Sequence, residues 1–489
     1  MKPEFVSTFY KNDAPAYAAG DNIRKIASYI DGFKLSARKI IYTLFEKYPN
    51  SDFVKTSQFA NYVAGFTNYN QGENNLSGVC ETLVQDFLGT NNYPLITGKG
   101  GWGNILDPYC AASRYTYVKA NDNLKIFFNK DDRKLVKEQI YEGDKIEPLY
   151  YIPILPTLLL NGSDGLSTGF RQLILPRNIK DIVSYISKKL NGIKNPKIEF
   201  LPWYRNFKGS CRYNAEDKIE ILGKVDKNNA TNYTISELPI GLSFSKYKEI
   251  LEDLCDNKVI VDYIDKCDPK TNTILFEIKT TREFTAKYND NEKLLTVFKL
   301  IKSYTEQLNC IDENNRVREF NSISEILDAF IEIRLSYYQK RKEYLINTTK
   351  KELDYLFSKY LFCKGVIDET INVRNVPNAK IIAQLEKIDK IIKVDDSYDY
   401  LLRISIGSIT KEGLDKLKND ITQNKNLYKE YKDKDYKEFW IDDLKELKEK
   451  IRWVVLILTF KICLIYWSPG YWNCNEIIRF YSIVHITIF

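Results

Sequence analysis

The chain has 489 residues, 44% of them hydrophobic and 28% charged, which suits a soluble globular protein of about two to four domains. Lys and Arg number 72 against 65 Asp and Glu, a net +7; this permits a nucleic-acid partner without requiring one, because the placement of charge matters more than its total. The one histidine, His485, stands four residues from the end, which all but excludes a histidine base, a His–metal site or a paired-histidine centre in the body of the chain.

No secretory signal opens the sequence, and its nine cysteines are scattered without a CxxC pair. The expectation is reduced thiols in a cytoplasmic compartment, that of a bacterial host if the chain is viral.

In chain order, SARKIIYTLFEK (36–47) is predicted as a helix with Ser36 as N-cap and Ile40, Ile41, Leu44 and Phe45 on one face, with Arg38 and Lys39 pointing elsewhere. A second helix is predicted over 55–66, striped by Phe59, Val63 and Phe66. A third starts near Asn74 and repeats apolar residues from Leu76 to Phe87 at helical spacing. Three short helices with basic residues near the first fit a helix-turn-helix or winged-helix module, or an ordinary helical subdomain. Glycines at 98, 100, 101 and 103 then form a loop that lets backbone approach a phosphate.

Beyond Tyr150 a short buried strand is expected, with turns at Asn161-Gly162 and around Gly165, and a helix over 178–190. Segments such as KIEFL, YTISELPI and NTILFEI predict strands mixed with helices from 197 to about 320. From Ser322 to Ile371 apolar residues recur every three or four positions. A helix of that length would reach about 75 Å and belongs to a coiled coil or an interdomain strut. A charged helix over 411–450 can run back antiparallel. The tail, 451–489, is anomalous: WVVLILTFKICLIYW (453–467) is interrupted by Lys461 and short for a membrane span. It is read as foreign to the fold, with a membrane tether as the alternative.

Residues 110–119, CAASRYTYVK, place one of 35 tyrosines behind an arginine. From these residues alone Tyr115 is either a nucleophile or an aromatic packing residue. Several collinear stretches add to this. YIDGFKLSARKI (29–40) resembles the DGLKPxxRR entry of type IIA DNA topoisomerases. NYNQGENNL (68–76) resembles their YHxHGE/D loop, LITGKGGWGN (95–104) their GQGNFG-type loop, and AASRYT (111–116) the stretch around their active tyrosine. PILPTLLLNGSDGLSTG (153–169) is similar to their PxxLxNGxxGIxxG segment, PWYRNFKG (202–209) and ELPIG (237–241) to the branch shared by eukaryotes and T-even phages, and LLRISIGSIT (401–410) to the segment after the exit-gate helices. The likeness spans about residues 17–450 and is to the breakage–reunion (gyrase-A-like) part, within it to the medium subunit of a T-even-like phage enzyme.

The resemblance implies a multidomain α+β fold: an N-terminal arm (1–20), a winged-helix domain with the catalytic tyrosine (21–160), a tower domain (161–320), and a long antiparallel coiled coil with a C-terminal dimer gate (321–450). It implies ATP-dependent double-strand cleavage and strand passage, relaxing or decatenating DNA through a 5′-phosphotyrosine link. Tyr115 would be the nucleophile, with Arg114 orienting the phosphate and Arg24 stabilising transition-state charge. An ordinary phenol ionises near pH 10, so cationic neighbours must favour the phenolate. Lys34, Arg38, Lys39, Gln71 and Lys99 would contact DNA, and Leu166 would wedge between base pairs, unless it is a core leucine. Partners would be double-stranded DNA, a second copy, and a large subunit that hydrolyses ATP and holds Mg²⁺ in its toprim domain. No metal ligand is expected in this chain and no membrane. Where the family loop has a histidine, this chain has Asn70 and Gln71, and a neutral amide can donate a hydrogen bond but not act as a base. A cleavage-deficient DNA-binding scaffold is the alternative reading.

Overall fold

The computed structural model describes residues 8–50 and 52–465, without the side chains of 406 and 451–465. The first seven residues of the expected N-terminal arm, and the tail from 466 on, lie outside the described residues. Two compact units divide the chain between Ile441 and Asp442, and the first contains every candidate site residue.

Helix α1 (Ala14–Lys25) carries Pro15 in its first turn, where a missing N–H costs nothing. Helix α2 (Leu35–Lys47) begins one residue before the expected cap, and Lys34 ahead of it makes no side-chain capping bond. Every residue from Ala37 to Phe45 is buried. The apolar stripe is therefore not a face over solvent; α2 is enclosed on all sides, as a core helix is. Helices α3 (Thr56–Phe66) and α4 (Glu73–Val84) pack against it and against each other. Strands β1 (Val54–Lys55), β2 (Ile96–Lys99) and β3 (Tyr117–Ala120) form an antiparallel sheet in the order β1-β3-β2. Three helices and a small antiparallel sheet thus form one mixed α/β subdomain around α2.

After a short helix (Thr157–Asn161) the chain turns at Gly162, with φ 75°, as the Asn-Gly pair suggests. Gly165 does not make a second turn. It lies inside β4 (Ser163–Leu166), which pairs with β5 (Arg171–Ile174) in a hairpin. Helix α5 (Ile179–Leu190) is capped by the Asn178 side chain, which accepts from the Lys180 amide. KIEFL is not a strand; prolines at 196 and 202 flank it, and neither can donate to a ladder.

The strands expected further on do form. A four-stranded antiparallel sheet takes the order 224–227, 232–237, 276–279, 262–265. Along 232–237 the residues Tyr233, Ile235 and Glu237 are buried and alternate with less buried ones, the period of a strand with one covered face. Tyr247 and Leu251 of a covering helix complete that core with Phe276 and Phe298.

Helix α6 (Ile323–Ile367) runs 45 residues from a Ser322 cap that accepts from the Glu325 amide; at the standard rise it is about 68 Å long. The charged helix predicted over 411–450 is two helices, α7 (Lys411–Asp433) and α8 (Tyr436–Ile465). The break has a local cause. The Asp435 carboxylate accepts from the Lys437 amide at 2.8 Å, starting a new helix where periodicity alone would continue the old one. Leu414 and Leu417 pack with Leu361 and Val366 around one core, while Lys342 Nζ donates to the Lys434 carbonyl at 2.7 Å. Thus α7 returns antiparallel along α6.

Candidate active site

Tyr115 stands on the irregular segment that leads into β3, and its side chain is 65% exposed. The backbone beneath it is held on two sides. The amides of Thr56 and Ser57, at the start of α3, donate to the carbonyls of Thr116 and Ser113 at 2.9 and 3.2 Å. The Thr116 hydroxyl, buried, donates to the Thr56 hydroxyl at 2.9 Å. On the other side lies the glycine loop. Gly100 has φ 106°, and a Cβ there would stand 2.9 Å from the Tyr115 carbonyl oxygen, so only glycine lets the two loops approach this closely. The exposed Arg114 guanidinium lies over the Tyr115 ring, 4.9 Å from its centroid, placing a cation beside the phenol. Lys99 pairs across the sheet with Tyr117 and is exposed.

A second cluster forms where α1 meets the β4–β5 hairpin. Asp21, buried, accepts from the Thr168 amide at 3.1 Å and the Thr168 hydroxyl at 2.9 Å. It also pairs with Lys25 at 3.1 Å and Arg24 at 3.5 Å. These bonds hold the Asp21 carboxyl below its ordinary value against the opposing effect of burial, which is the largest single influence on it. The buried Gln172 amide bonds both polar groups of the Ala27 backbone, at 3.0 and 3.1 Å. Gly165 is the tightest point: a Cβ there would meet the Lys25 carbonyl oxygen at 2.2 Å. Lys34 Nζ donates to the Asp164 carbonyl at 2.6 Å. Burial lowers its pKa, opposed by the Asp164 charge, and a phosphate brought against it would favour the charged form. Arg24, Lys34 and Leu166 thus gather around one hairpin, and Leu166 is 73% exposed. A core leucine is ruled out by that exposure. Among the described residues no hydrogen bond or ion pair joins this cluster to Tyr115.

Arg38 and Lys39 are not phosphate contacts. Arg38 is buried and forked onto Asp31, with Nε at 2.7 Å and Nη2 at 3.0 Å from the two carboxylate oxygens. Lys39 is buried too and donates to Glu147 at 2.9 Å and to the Thr67 carbonyl at 2.7 Å. Burial pushes the Glu147 carboxyl up, opposed by the Lys39 ammonium. Buried charges persist only when paired in this way, so these two cations hold α2 in the core.

Gln71 is exposed just ahead of α4; its side-chain amide donates to Asn70 Oδ1 at 2.9 Å, and its backbone carbonyl accepts from the Asn75 side chain at 2.6 Å. Among the described residues its side chain bonds only its neighbour, so Gln71→His is expected to leave stability within about 0.5 kcal/mol, measured by denaturant unfolding.

A sequence profile for the A subunit of DNA gyrase/topoisomerase IV matches residues 24–445. The chain belongs to that family. It is 32% identical to the mitochondrial DNA topoisomerase 2 of Dictyostelium discoideum over 90% of its own length and 35% of the relative's. It is 27% identical to the DNA topoisomerase 2 of Acanthamoeba polyphaga mimivirus over 90% of this chain and 40% of that one. The chain therefore spans about a third of the length of these curated relatives. The crystal structure of the Plasmodium falciparum topoisomerase II DNA-binding, cleavage and re-ligation domain superposes with a TM-score of 0.84 at 29% identity, covering 93% of this chain and 65% of that one.

As a member of this topoisomerase family, the chain has further residues that sequence reasoning did not single out. Thr56, Thr116, Asp21 and Gln172 each fix a backbone near a candidate residue, through partners far along the chain. Only Asp21 left a local trace, in its spacing to Arg24 and Lys25. Among the described residues no three His, Cys, Asp or Glu side chains converge to hold a metal. No described helix is long and apolar enough to cross a membrane.

Proposed function

We propose that this chain is the breakage–reunion part of a type II DNA topoisomerase, relaxing or decatenating DNA by double-strand passage. The observation that carries the reading is Tyr115: an exposed phenol on a braced backbone, under the Arg114 cation, in a chain matched to the family over residues 24–445. The Tyr115 oxygen attacks a backbone phosphorus. An O–P bond to the tyrosine forms as the P–O3′ bond breaks, leaving a 5′-phosphotyrosyl end and a 3′-hydroxyl. The phenol proton leaves to solvent, and the departing 3′-oxygen takes one up. One phosphoester replaces another, so the break reseals without ATP. Arg114 and Arg24 stabilise the charge that builds on the phosphoryl oxygens.

In this reading residues 21–160 are the winged-helix gate domain, 161–320 the tower and 321–450 a coiled coil ending in an exit gate, with two copies cutting one strand each. ATP hydrolysis and Mg²⁺ belong to a large partner subunit. The superposition on a DNA-binding, cleavage and re-ligation domain supports the cleavage part of this reading.

Mixing the chain, assembled with the subunits that copurify with it, with duplex DNA labelled at its 3′ ends and then denaturing traps the intermediate. A labelled protein band is the expected result; DNA binding without such a band would leave only the scaffold reading.

Leu166 supplies the wedge. An exposed apolar side chain on a hairpin that is bonded to α1 through Thr168 and Asp21 and to Ala27 through Gln172 can trade base-unstacking cost against wrapped contact. Leu166→Ala is expected to abolish most of the DNA bend seen by fluorescence transfer between duplex ends and to slow cleavage about tenfold, roughly 1.4 kcal/mol. At this exposure, stability should move by less than about 0.5 kcal/mol. An unchanged bend would remove Leu166 from the mechanism.

A further inference from the structure

The segment from the end of β2 to Tyr115 is a loop with two arms, 100–104 and 108–115, and something must keep them in register. Part of that is their own backbone. The Asn104 amide donates to the Asp107 carbonyl at 2.8 Å, and the Ala111 amide to the Gly101 carbonyl at 2.9 Å. The tip is seated elsewhere: Ile105 and Leu106 pack against the core of the four-stranded sheet, and the Ile105 amide donates to Asn272 Oδ1 at 3.0 Å. Of the helices beneath Tyr115, α3 holds only the end of the second arm, through the Ser57 amide on the Ser113 carbonyl; none of these contacts ties both arms to a helix.

Gln85 does. It follows α4 directly, and its own carbonyl is held by the Asn91 side chain at 2.9 Å. Its side-chain amide Nε2 lies 3.1 Å from the Trp102 carbonyl and 2.9 Å from the Pro108 carbonyl, one on each arm. Glu81 Oε1 at 3.4 Å and Cys110 Sγ at 3.7 Å complete its surroundings. A primary amide has two N–H groups, and here two carbonyls converge on it. We propose that Gln85 is a positioning residue for strand cleavage: it braces the arms of the tyrosine loop on α4 and so sets where the Tyr115 oxygen stands. It touches no reacting atom. This inference rests on the reading of Tyr115 as nucleophile.

The physical reason for an effect is geometric. Attack on phosphorus needs the oxygen within a few tenths of an ångström of its productive place, and a displacement of about 1 Å can cost on the order of 10²-fold in rate. Gln85→Met keeps the length of the side chain and introduces no charge near the DNA, but donates nothing. Both carbonyls sit on a half-exposed loop where water can replace the amide, so the fold should hold.

The test compares Gln85→Met with the parent in the assembled enzyme on 3′-labelled duplex. Three quantities are read: the single-turnover rate of adduct formation, the duplex Kd, and hydrogen exchange at the amides of 101–115. Support is a rate lower by about 10- to 100-fold with Kd within about twofold, an unchanged thermal midpoint, and faster exchange at Ala111 and Tyr115. The idea is overturned if the variant cleaves at the parental rate. It is equally overturned if rate, duplex affinity and thermal midpoint fall together, because that is a structural role. A parent that forms no adduct sinks the nucleophile reading itself and this inference with it, a result distinct from either.

Discussion

With Tyr115 as the proposed nucleophile, Tyr115→Phe is expected to form no covalent adduct with DNA and to lose at least about 10⁴-fold in strand-passage activity, the scale on which removal of a covalent nucleophile acts. The substitution deletes one oxygen and little else. The side chain is 65% exposed, and no hydrogen bond of its hydroxyl is found among the described residues. Phenylalanine keeps a ring for the Arg114 cation to cover. Stability and duplex affinity should therefore stay near the parent's, and a quenched reaction on 3′-labelled duplex separates chemistry from binding. Tyr109 and Tyr117 are the controls. Tyr109 is more exposed still, at 82%, and Tyr117 is paired within the sheet to Lys55 and Lys99. An adduct that survives Tyr115→Phe and disappears with either control moves the nucleophile.

Asp31→Ala has the largest expected effect on folding. Asp31 is fully buried and accepts four bonds: two from Arg38, one from the Phe33 amide at 3.0 Å and one from the Tyr151 amide at 3.0 Å. Removing the carboxylate leaves a guanidinium enclosed without its counter-charge and two amides without an acceptor. Breaking a buried pair from one side costs about 3–5 kcal/mol, and the stranded amides add to that. Denaturant unfolding followed by tryptophan fluorescence is the measurement. The same experiment decides what Arg38 is for. As a core cation, its loss by Arg38→Met lowers the unfolding midpoint; as a DNA contact, it would lower affinity and its salt dependence with the midpoint unchanged. Lys34→Ala is the contrasting variant, since Lys34 meets the wedge hairpin through a single backbone carbonyl.

These residues mark where reading a sequence stops being sufficient. The pair Arg38-Lys39 sits in a stretch whose composition suggests a basic surface, and two cations in a row are usually solvated. Their partners decide otherwise. Asp31 is seven residues away and within reach of local inspection; Glu147 is 108 residues away, brought in only when the chain closes around α2. Gly165 follows the same logic. A glycine in NGSDG suggests a turn, but its lack of a side chain serves the close pass of β4 over the Lys25 carbonyl. The break between α7 and α8 was invisible to periodicity because an Asp side chain, not a proline or glycine, makes it.

What the amino-acid order determined on its own is the local part. It set the helices α2 to α4, the Gly162 turn and the long helix α6, because helical repeats, caps and glycine conformations act within a few residues. It also set the motif order from DGFK to SRYT that points to a topoisomerase. Only the tertiary structure decided which cations stand at the surface and which are locked inside, and it alone placed Gln85 across both arms of the tyrosine loop. Burial and long-range pairing depend on where distant segments meet, and charge on a lysine or arginine reads the same in sequence whether a phosphate or a buried carboxylate awaits it.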